Sequence, residues 1–331
     1  MKKSTVYIII IAVAIVLVGI VLLSALSGKQ PDQTSGEGVY RVTFFDGDAQ
    51  ILTYTVSGGS TASMPDDPVK SNYIFCGWYT DKYGSNRYDF SVPVTGNLNL
   101  YAKFELDAAS VTNRISTDTI KGIVKIYNKS YNTFLGMEYE HSTSQGSGFC
   151  FTINDGYYYV LTNAHVAIKE SNYKKQEFTI VDYQGNEYKG YLYQNPNKSV
   201  DAISAEYDLA CLYFKASDTN VKPLDILSVN PDLKDDVIAL GAPKAQSNAI
   251  TFGRVCTYRQ ITLNEKTPKY KSNVTFDVIE HTAFIDNGSS GGPLMDVNLK
   301  VIGVNYASND TYSYAIPAEK VTEFLAKYVY N

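Results

Sequence analysis

A glycine-rich stretch at residues 286–294 contains a serine in a setting that suits a nucleophile. It reads Asp-Asn-Gly-Ser-Ser-Gly-Gly-Pro-Leu, and Ser290 is followed directly by two glycines. Glycines permit backbone conformations that are closed to other residues, so a hydroxyl can stand exposed beside inward-pointing amide groups. A nucleophile with its own oxyanion hole requires that arrangement. A flexible surface turn has the same composition, so residues elsewhere in the chain must decide between the two.

Two further residues could activate this serine. A serine hydroxyl is a weak nucleophile at neutral pH, so acyl transfer needs a histidine to take its proton and a carboxylate to orient the histidine. His165 ends one apolar run of strand character, and Asp208 opens another. Each residue taken alone has an ordinary structural interpretation. The order His165, Asp208, Ser290 is one of the chain orders in which the Ser-His-Asp triad occurs, and it predicts that chemistry.

Three short motifs contain these residues: Thr-Asn-Ala-His-Val at 162–166, Asp-Leu-Ala at 208–210 and Gly-Ser-Ser-Gly-Gly-Pro-Leu at 288–294. Together they resemble the signature motifs of trypsin-like serine proteases, specifically the bacterial HtrA/DegP-like branch. Supporting motifs at 146–149, 237–243, 251–255 and 314–317 follow the family order, so the resemblance covers roughly residues 120–331. It implies a two-barrel, chymotrypsin-like protease domain.

The resemblance also implies a role for each site residue. Ser290 resembles the nucleophile, His165 the general base and acid, and Asp208 the orienting carboxylate. The backbone amides of Gly288 and Ser290 would form the oxyanion hole. Ser289 stands where the family has Asn or Asp, and a serine cannot pair with a newly formed N-terminus, so we expect no activation by N-terminal cleavage. We also expect no control through an attached PDZ domain, which many relatives carry after the closing helix.

A substrate pocket can be assigned only by resemblance. In this fold the primary pocket is walled by residues before the nucleophile and by the strand after it, which here are Phe284, Asn305, Tyr306 and Ala307. Phe284 stands where trypsin keeps an aspartate that selects basic residues. We therefore expect cleavage after a small or medium apolar residue rather than after Arg or Lys.

The N-terminal region has the character of a membrane anchor. An unbroken apolar run at residues 6–26 follows two lysines, and about 20 such residues suffice to cross a bilayer. The lysines favour a cytoplasmic N-terminus, which places the rest of the chain outside. We therefore predict a signal-anchor at residues 1–27 and a linker at 28–38, in a single-pass protein of the cell membrane. Cleavage at a weak small-x-small site near residue 25 stays open.

A separate β-rich module is predicted at residues 39–106. Alternating apolar residues are separated there by Gly, Pro and Asp turns. The Gly-Trp-Tyr motif at 77–79 and Tyr-Asp-Phe at 88–90 resemble the Listeria-Bacteroides or InlB B-type repeat, a β-grasp-like module on bacterial surface proteins. Core packing is the favoured role of Trp78, although a cell-surface ligand of the module is possible. A polar linker is predicted at 107–119 and the protease at 120–331.

Composition narrows the remaining classes of function. The net charge of -5 offers no basic surface for nucleic acid. The four cysteines lack zinc spacing and the acids form no calcium loop, so we expect no metal or cofactor. Buried free thiols are the default, with a Cys150–Cys211 disulfide left open. Of the other histidines, we expect His141 to be exposed, whereas His281 is either structural or lines the cleft.

These observations predict an all-β, membrane-anchored serine endopeptidase that acts outside the cytoplasm on protein or peptide substrates through an acyl-enzyme. The alternative is a catalytically silent, protease-like binding or adhesion protein at the cell surface. A scaffold has no need for His165, Asp208 and Ser290 together, so the first interpretation is favoured.

Overall fold

The computed structural model describes residues 38–168, 173–241, 249–261 and 273–330. The predicted membrane span and nearly all of the linker at 28–38 lie outside these residues. Among the described helices, none has the length and apolar character needed to cross a bilayer.

The N-terminal module is a four-stranded mixed sheet. Its strands are β1 (Val39–Asp46), β2 (Ala49–Ser57), β3 (Tyr73–Tyr79) and β4 (Leu98–Leu106), in the order β2-β1-β4-β3 with β1 and β4 parallel. Trp78 is only 1% exposed and meets the ring of Phe44 edge-on at 4.8 Å between centroids. The predicted core role of Trp78 is therefore confirmed, and its ring is not available as a recognition surface.

The segment at 107–119, predicted as a polar linker, is mostly helical and packs on the protease region. Helix α1 (Ala108–Thr117) begins after Asp107, whose carboxylate accepts a hydrogen bond from the Ser110 amide at 3.0 Å. Val111 and Ile115, four residues apart on one face, are fully buried in the core of the protease region. Two apolar residues at helical spacing are enough to fix a segment that is otherwise polar. A short 3₁₀ turn (Thr119–Gly122) then leads into the first barrel.

The module contacts the second barrel directly. The Tyr73 hydroxyl donates to Asp236 Oδ2 at 2.9 Å, and Asp236 also accepts a hydrogen bond from Arg254 Nε at 2.8 Å. Asn72 Nδ2 donates to Asn298 Oδ1 at 3.0 Å. The module is therefore packed on the protease region rather than held away from it by a loose connector.

The first barrel has six main strands. Its members are β5 (Ile123–Phe134), β6 (Met137–Asn154), β7 (Tyr157–Thr162), β8 (Lys175–Val181), β9 (Glu187–Leu192) and β13 (Leu209–Lys215). They run in the order β13-β7-β6-β5-β8-β9, and pairing of β13 with β9 closes the ring. The small strands β10 (Gln194–Asn195), β11 (Val200–Asp201) and β12 (Ile203–Ser204) lie in the connection before β13. A one-turn helix α2 (Ala164–Ala167) follows β7.

The second barrel is also closed and has six strands. They are β14 (Asp236–Gly241), β15 (Ala249–Arg259), β16 (Val278–His281), β17 (Pro293–Met295), β18 (Val301–Ser308) and β19 (Ser313–Pro317), in the order β14-β15-β16-β19-β18-β17. Helix α3 (Ala318–Phe324) and a π-helical turn (Leu325–Val329) follow. One buried apolar cluster contains Phe149 and Leu161 of the first barrel together with Leu240 and Val304 of the second. This all-β, two-barrel arrangement confirms the predicted fold of the protease region.

The cysteines Cys150 and Cys211 cannot be bridged in this fold. Cys150 pairs with Val160 of β7, and Cys211 pairs with Leu161 on the other side of the same strand. With one strand between them, the two cysteines are about 9–10 Å apart, which exceeds the roughly 7 Å that a disulfide spans. All four cysteines are free thiols, as expected by default.

Candidate active site

His165 lies at the point where β7 gives way to the short helix α2. Asn163 is the residue before that helix; it has extended backbone angles and a fully buried side chain. Its Nδ2 donates to the backbone oxygen of Asp208 at 3.0 Å, and the Ala164 amide donates to the same oxygen at 3.1 Å. The segment that carries His165 is thereby fastened to the segment that carries Asp208.

Asp208 holds the histidine ring by two contacts. Its Oδ2 lies 2.7 Å from His165 Nδ1, and its Oδ1 accepts a hydrogen bond from the His165 amide at 2.9 Å. The residue is fully buried and has a φ of 47°, a left-handed conformation that turns its carboxylate toward α2 at the entry to β13. A carboxylate only accepts hydrogen bonds, so Nδ1 carries the proton that lies between the ring and Asp208, which is the tautomer that the candidate role of general base requires.

The proton affinity of His165 is set by two opposed effects. Burial acts to lower its pKa, but the charge and the hydrogen bond of Asp208 outweigh burial, so the pKa is raised above the ordinary histidine value. The side chain remains 27% exposed. The histidine can therefore exchange a proton with a bound molecule while its other nitrogen is held by the carboxylate.

The loop that carries Ser290 depends on two glycines in left-handed conformations. Gly288 has a φ of 98° and Gly291 a φ of 87°, values that other residues rarely adopt. The Ser289 amide donates to the Asp286 oxygen at 2.9 Å, and the Gly292 amide donates to the Ser289 oxygen at 3.0 Å. These turns fix the backbone on both sides of Ser290.

The same loop is tied to the first barrel beside His165. The Ser147 amide donates to the Ser290 oxygen at 2.8 Å, and the Ser147 hydroxyl donates to the Gly288 oxygen at 2.6 Å. A Cβ atom at Gly291 would collide with the backbone of Ser147 and with the hydroxyl of Thr162, which ends β7. The loop therefore brings Ser290 of the second barrel to the end of the strand that precedes His165.

The amides of Gly288 and Ser290 are the pair expected to form the oxyanion hole. Among the described residues, none accepts a hydrogen bond from the amide of Gly288 or of Ser290. The Gly288 carbonyl is held by the Ser147 hydroxyl, which fixes the Gly288–Ser289 peptide group that lies between the two amides. Two uncommitted amides on one rigid turn can stabilise an anionic oxygen.

The four residues expected to line a substrate pocket differ in their exposure to solvent. Phe284 is 60% exposed and Ala307 is partly buried. Asn305 and Tyr306 are buried, so the expectation that their side chains wall an open pocket is corrected. Asn305 Nδ2 instead donates to the Leu240 oxygen at 3.0 Å and the Pro293 oxygen at 3.2 Å. Asn305 thus supports the nucleophile loop, and Tyr306 packs in the shared core.

The two remaining histidines lie apart from these contacts. His141 is exposed on β6, as expected. His281 has no exposed surface, and no side chain in the described part of the chain pairs with either of its ring nitrogens. It is a buried structural residue of the second barrel and does not line a surface cleft.

Sequence reasoning missed the supporting roles of Asn163, Ser147 and Asn305. Asn163 lies in the motif at 162–166 and Ser147 in the motif at 146–149, so a polar residue within these motifs was the available signal. Among the described residues, no group of three or more His, Cys, Asp or Glu side chains could hold a metal ion.

Comparison with known proteins identifies two regions. A model of the trypsin-like peptidase domain matches residues 146–304, and a model of the Listeria-Bacteroides repeat domain matches residues 40–103. Serine protease HTR4 of Rattus norvegicus is 32% identical over 192 residues, which cover 57% of this chain and 35% of the relative. Serine protease HTRA3 of Homo sapiens is 30% identical over 188 residues, covering 56% and 38%. The chain thus spans little more than a third of the length of these relatives.

A solved structure shares the fold. The crystal structure of the Rv3671c protease from M. tuberculosis, active form, has a TM-score of 0.52 and 24% identity, covering 67% of this chain and 87% of that one. That likeness bears on the fold alone. Residues 146–304 therefore match the trypsin-like peptidase domain and residues 40–103 the Listeria-Bacteroides repeat domain, and the curated relatives of this chain are HtrA serine proteases.

Proposed function

We propose that this chain is a membrane-anchored serine endopeptidase that acts outside the cytoplasm. The observation that carries the proposal is the double contact of Asp208 with His165, at 2.7 Å to Nδ1 and 2.9 Å to the amide. It fixes the tautomer that a general base needs. The apolar run at residues 6–26 behind two lysines supports the anchor and its orientation.

The proposed reaction assigns a role to each of these residues. His165 Nε2 takes the proton of the Ser290 hydroxyl as Oγ bonds to the carbonyl carbon of a peptide, and the carbonyl oxygen becomes an anion. The amides of Gly288 and Ser290 stabilise that anion. His165 then gives the proton to the leaving amine, the C–N bond breaks, and Ser290 keeps the acyl group. Water attacks the ester by the same route in reverse, which releases the carboxylic acid and restores Ser290.

Exposed Phe284 supports a preference at the cleavage site. An apolar ring at the position that governs selection in trypsin offers no partner for a charged side chain. We therefore propose that the enzyme cleaves after small or medium apolar residues, and a peptide library cut mainly after Arg or Lys would contradict this.

A fluorophosphonate probe tests the proposed chemistry. Full-length protein and its Ser290→Ala variant are treated in parallel, and the labelled residue is identified by mass. Removing a triad member costs on the order of a million-fold in turnover, so the contrast between the two should be plain. Labelling confined to Ser290 supports the proposal. A folded protein that resists labelling would instead favour the protease-like binding protein.

A further inference from the structure

The longest hairpin of the first barrel ends in an exposed apolar tip. Strands β5 and β6 pair up to Phe134 and Met137, with Leu135 and Gly136 in the turn. Phe134 is 66% exposed, Leu135 83% and Met137 68%. Residues 134–137 are called the hairpin tip below.

The tip stands clear of the barrel. Pairing of β5 with β8 ends at Tyr131, and pairing of β6 with β7 begins only at Phe149. Beyond Tyr131, the hairpin is a two-stranded ribbon that pairs with no other described strand. A two-stranded ribbon is marginal in water by itself, and an exposed apolar end adds nothing to its stability there.

The residue choice in the turn runs against local preference. Leu135 has a φ of 50° and Gly136 a φ of 80°, the left-handed pair of a two-residue hairpin turn. Asn or Asp followed by Gly is the usual choice at such a turn, because short polar side chains tolerate this conformation. A leucine there is poorly suited both to the backbone and to water. A residue that suits neither its backbone conformation nor its exposure to water is typical of a functional position.

We propose that the hairpin tip inserts into the surface of a lipid bilayer. Three side chains cannot supply the roughly 1,200–2,000 Å² that a stable protein interface buries, so a second copy of the chain is a poor occupant. A bilayer imposes no such minimum, and a predicted anchor at residues 6–26 would already hold the protein beside one. Apolar side chains at an interface reach about 5–10 Å into the boundary between headgroups and acyl chains.

The residues behind the tip suit the headgroup layer. Tyr139 is 46% exposed, and tyrosine favours the membrane–water interface. The nearby charges are paired, since Lys175 Nζ lies 2.9 Å from Glu138 and Lys129 Nζ lies 3.5 Å from Glu140. With its charges balanced, the hairpin should insert into uncharged phosphatidylcholine as well as into anionic lipid.

Tryptophan fluorescence in vesicles tests this inference. Trp78 is the one tryptophan of the chain and is buried in the module, so it gives a constant background. Full-length Phe134→Trp protein is reconstituted into phosphatidylcholine vesicles with brominated acyl chains. We expect the new emission to shift to the blue and to lose most of its intensity relative to unbrominated vesicles.

Two companion variants make the result specific. Gln184→Trp places the same probe on the exposed polar turn between β8 and β9, where we expect emission typical of water and no quenching. Adding Leu135→Asn and Met137→Ser to Phe134→Trp should abolish the quenching, while hydrolysis of a soluble peptide stays at the parent rate. Equal quenching at residues 134 and 184 would overturn the inference, because it would report only that the protein is near lipid.

The inference rests on the proposed membrane location but not on the proposed catalysis, and flotation with the vesicles separates the two. Protein that floats with an unquenched probe at residue 134 retains its anchor and overturns the inserted tip. A blue shift without quenching by bromine indicates burial against another protein copy and overturns it too. Protein that does not float contradicts both the anchor and the tip, whereas peptide hydrolysis is measured independently of either.

Discussion

The two barrels of the protease region each contain a histidine whose pKa is shifted from the ordinary value, and the two shifts have opposite directions. His165 faces the Asp208 carboxylate at 2.7 Å, and its pKa is raised. Among the described residues, no side chain pairs with either ring nitrogen of His281, and burial lowers its pKa to about 4, with a smaller opposing effect from the Ala283 backbone. A carboxylate partner is therefore what separates a candidate base from a neutral core residue.

Because their pKa values shift in opposite directions, the two histidines should affect different properties of the protein. A histidine with a raised pKa holds its proton over a wider pH range and depends on its carboxylate for orientation. A histidine with a lowered pKa stays neutral in the fold and takes up a proton more readily when the chain unfolds. The first should govern a pH–rate profile, and the second should govern acid stability.

The largest effect is expected from removing the carboxylate. Asp208→Asn can present its amide nitrogen to His165 Nδ1 and so favour the wrong tautomer, and kcat should fall by about 10⁴. For the parent, the raised pKa of His165 places the acid limb of the kcat/KM profile above the ordinary value of about 6.5. Burial alone then acts on the variant, so its acid limb should move to lower pH. Hydrolysis of a peptide ester across pH measures both.

A second buried aspartate supplies the matched control. Asp182 is 5% exposed and accepts hydrogen bonds from two amides of the β8–β9 turn in the same barrel. Asp182→Asn should destabilise that turn and leave the acid limb unchanged. A limb that fails to move in Asp208→Asn, or that moves equally in both variants, would show that His165 is not the group being titrated.

A smaller effect is expected from the second histidine. Because its folded pKa is lowered, the unfolded chain binds the proton first as the pH falls, so stability is intact above about 6.5 and is lost toward about pH 4. Since one pKa unit corresponds to about 1.4 kcal/mol, the loss from His281 is on the order of 3 kcal/mol. His281→Leu should remove most of this acid sensitivity. Urea unfolding at several pH values measures it, in a Ser290→Ala background that prevents self-digestion.

Exposed His141 serves as the comparison for that experiment. His141→Gln removes a histidine that lies on the surface in the fold, and its unfolding curves are the reference with which His281→Leu is compared. If His281→Leu loses stability toward acid as steeply as the parent, then carboxylates elsewhere account for the acid sensitivity.

The sequence predicted the candidate site residues and the fold class, but not which side chains the fold buries. The candidate triad residues lie in short motifs in a known order, and the resemblance of those motifs to trypsin-like proteases implied the two barrels. What the sequence could not supply were facts of burial. The segment at 107–119 looks polar, yet Val111 and Ile115 face the core together. His281 lies only nine residues before Ser290 in the sequence, yet the fold buries its ring in the second barrel. Asn305 looks like a pocket residue, but its side-chain amide donates hydrogen bonds to two backbone oxygens.

The smallest expected effect belongs to Asn163, which acts on the histidine through its partner. Its Nδ2 donates to the Asp208 oxygen at 3.0 Å, and this oxygen also receives the Ala164 amide, so Asn163→Ala leaves no carbonyl wholly unpaired. A loss of about 1 kcal/mol in orientation corresponds to roughly a five-fold fall in kcat, with KM little changed. The acid limb should also move to lower pH as Asp208 loosens.

Asn128 of β5 contacts the other end of the same short helix, and its variant provides the matched comparison. Its Nδ2 donates to the Val166 oxygen at 3.0 Å, so Asn128→Ala disturbs α2 without touching Asp208. If both variants lose stability but only Asn163→Ala shifts the pH–rate profile, the position of the carboxylate, and not the firmness of the helix, sets the proton affinity of His165. Equal shifts would mean that the contrast with His281 depends on the helix as a whole.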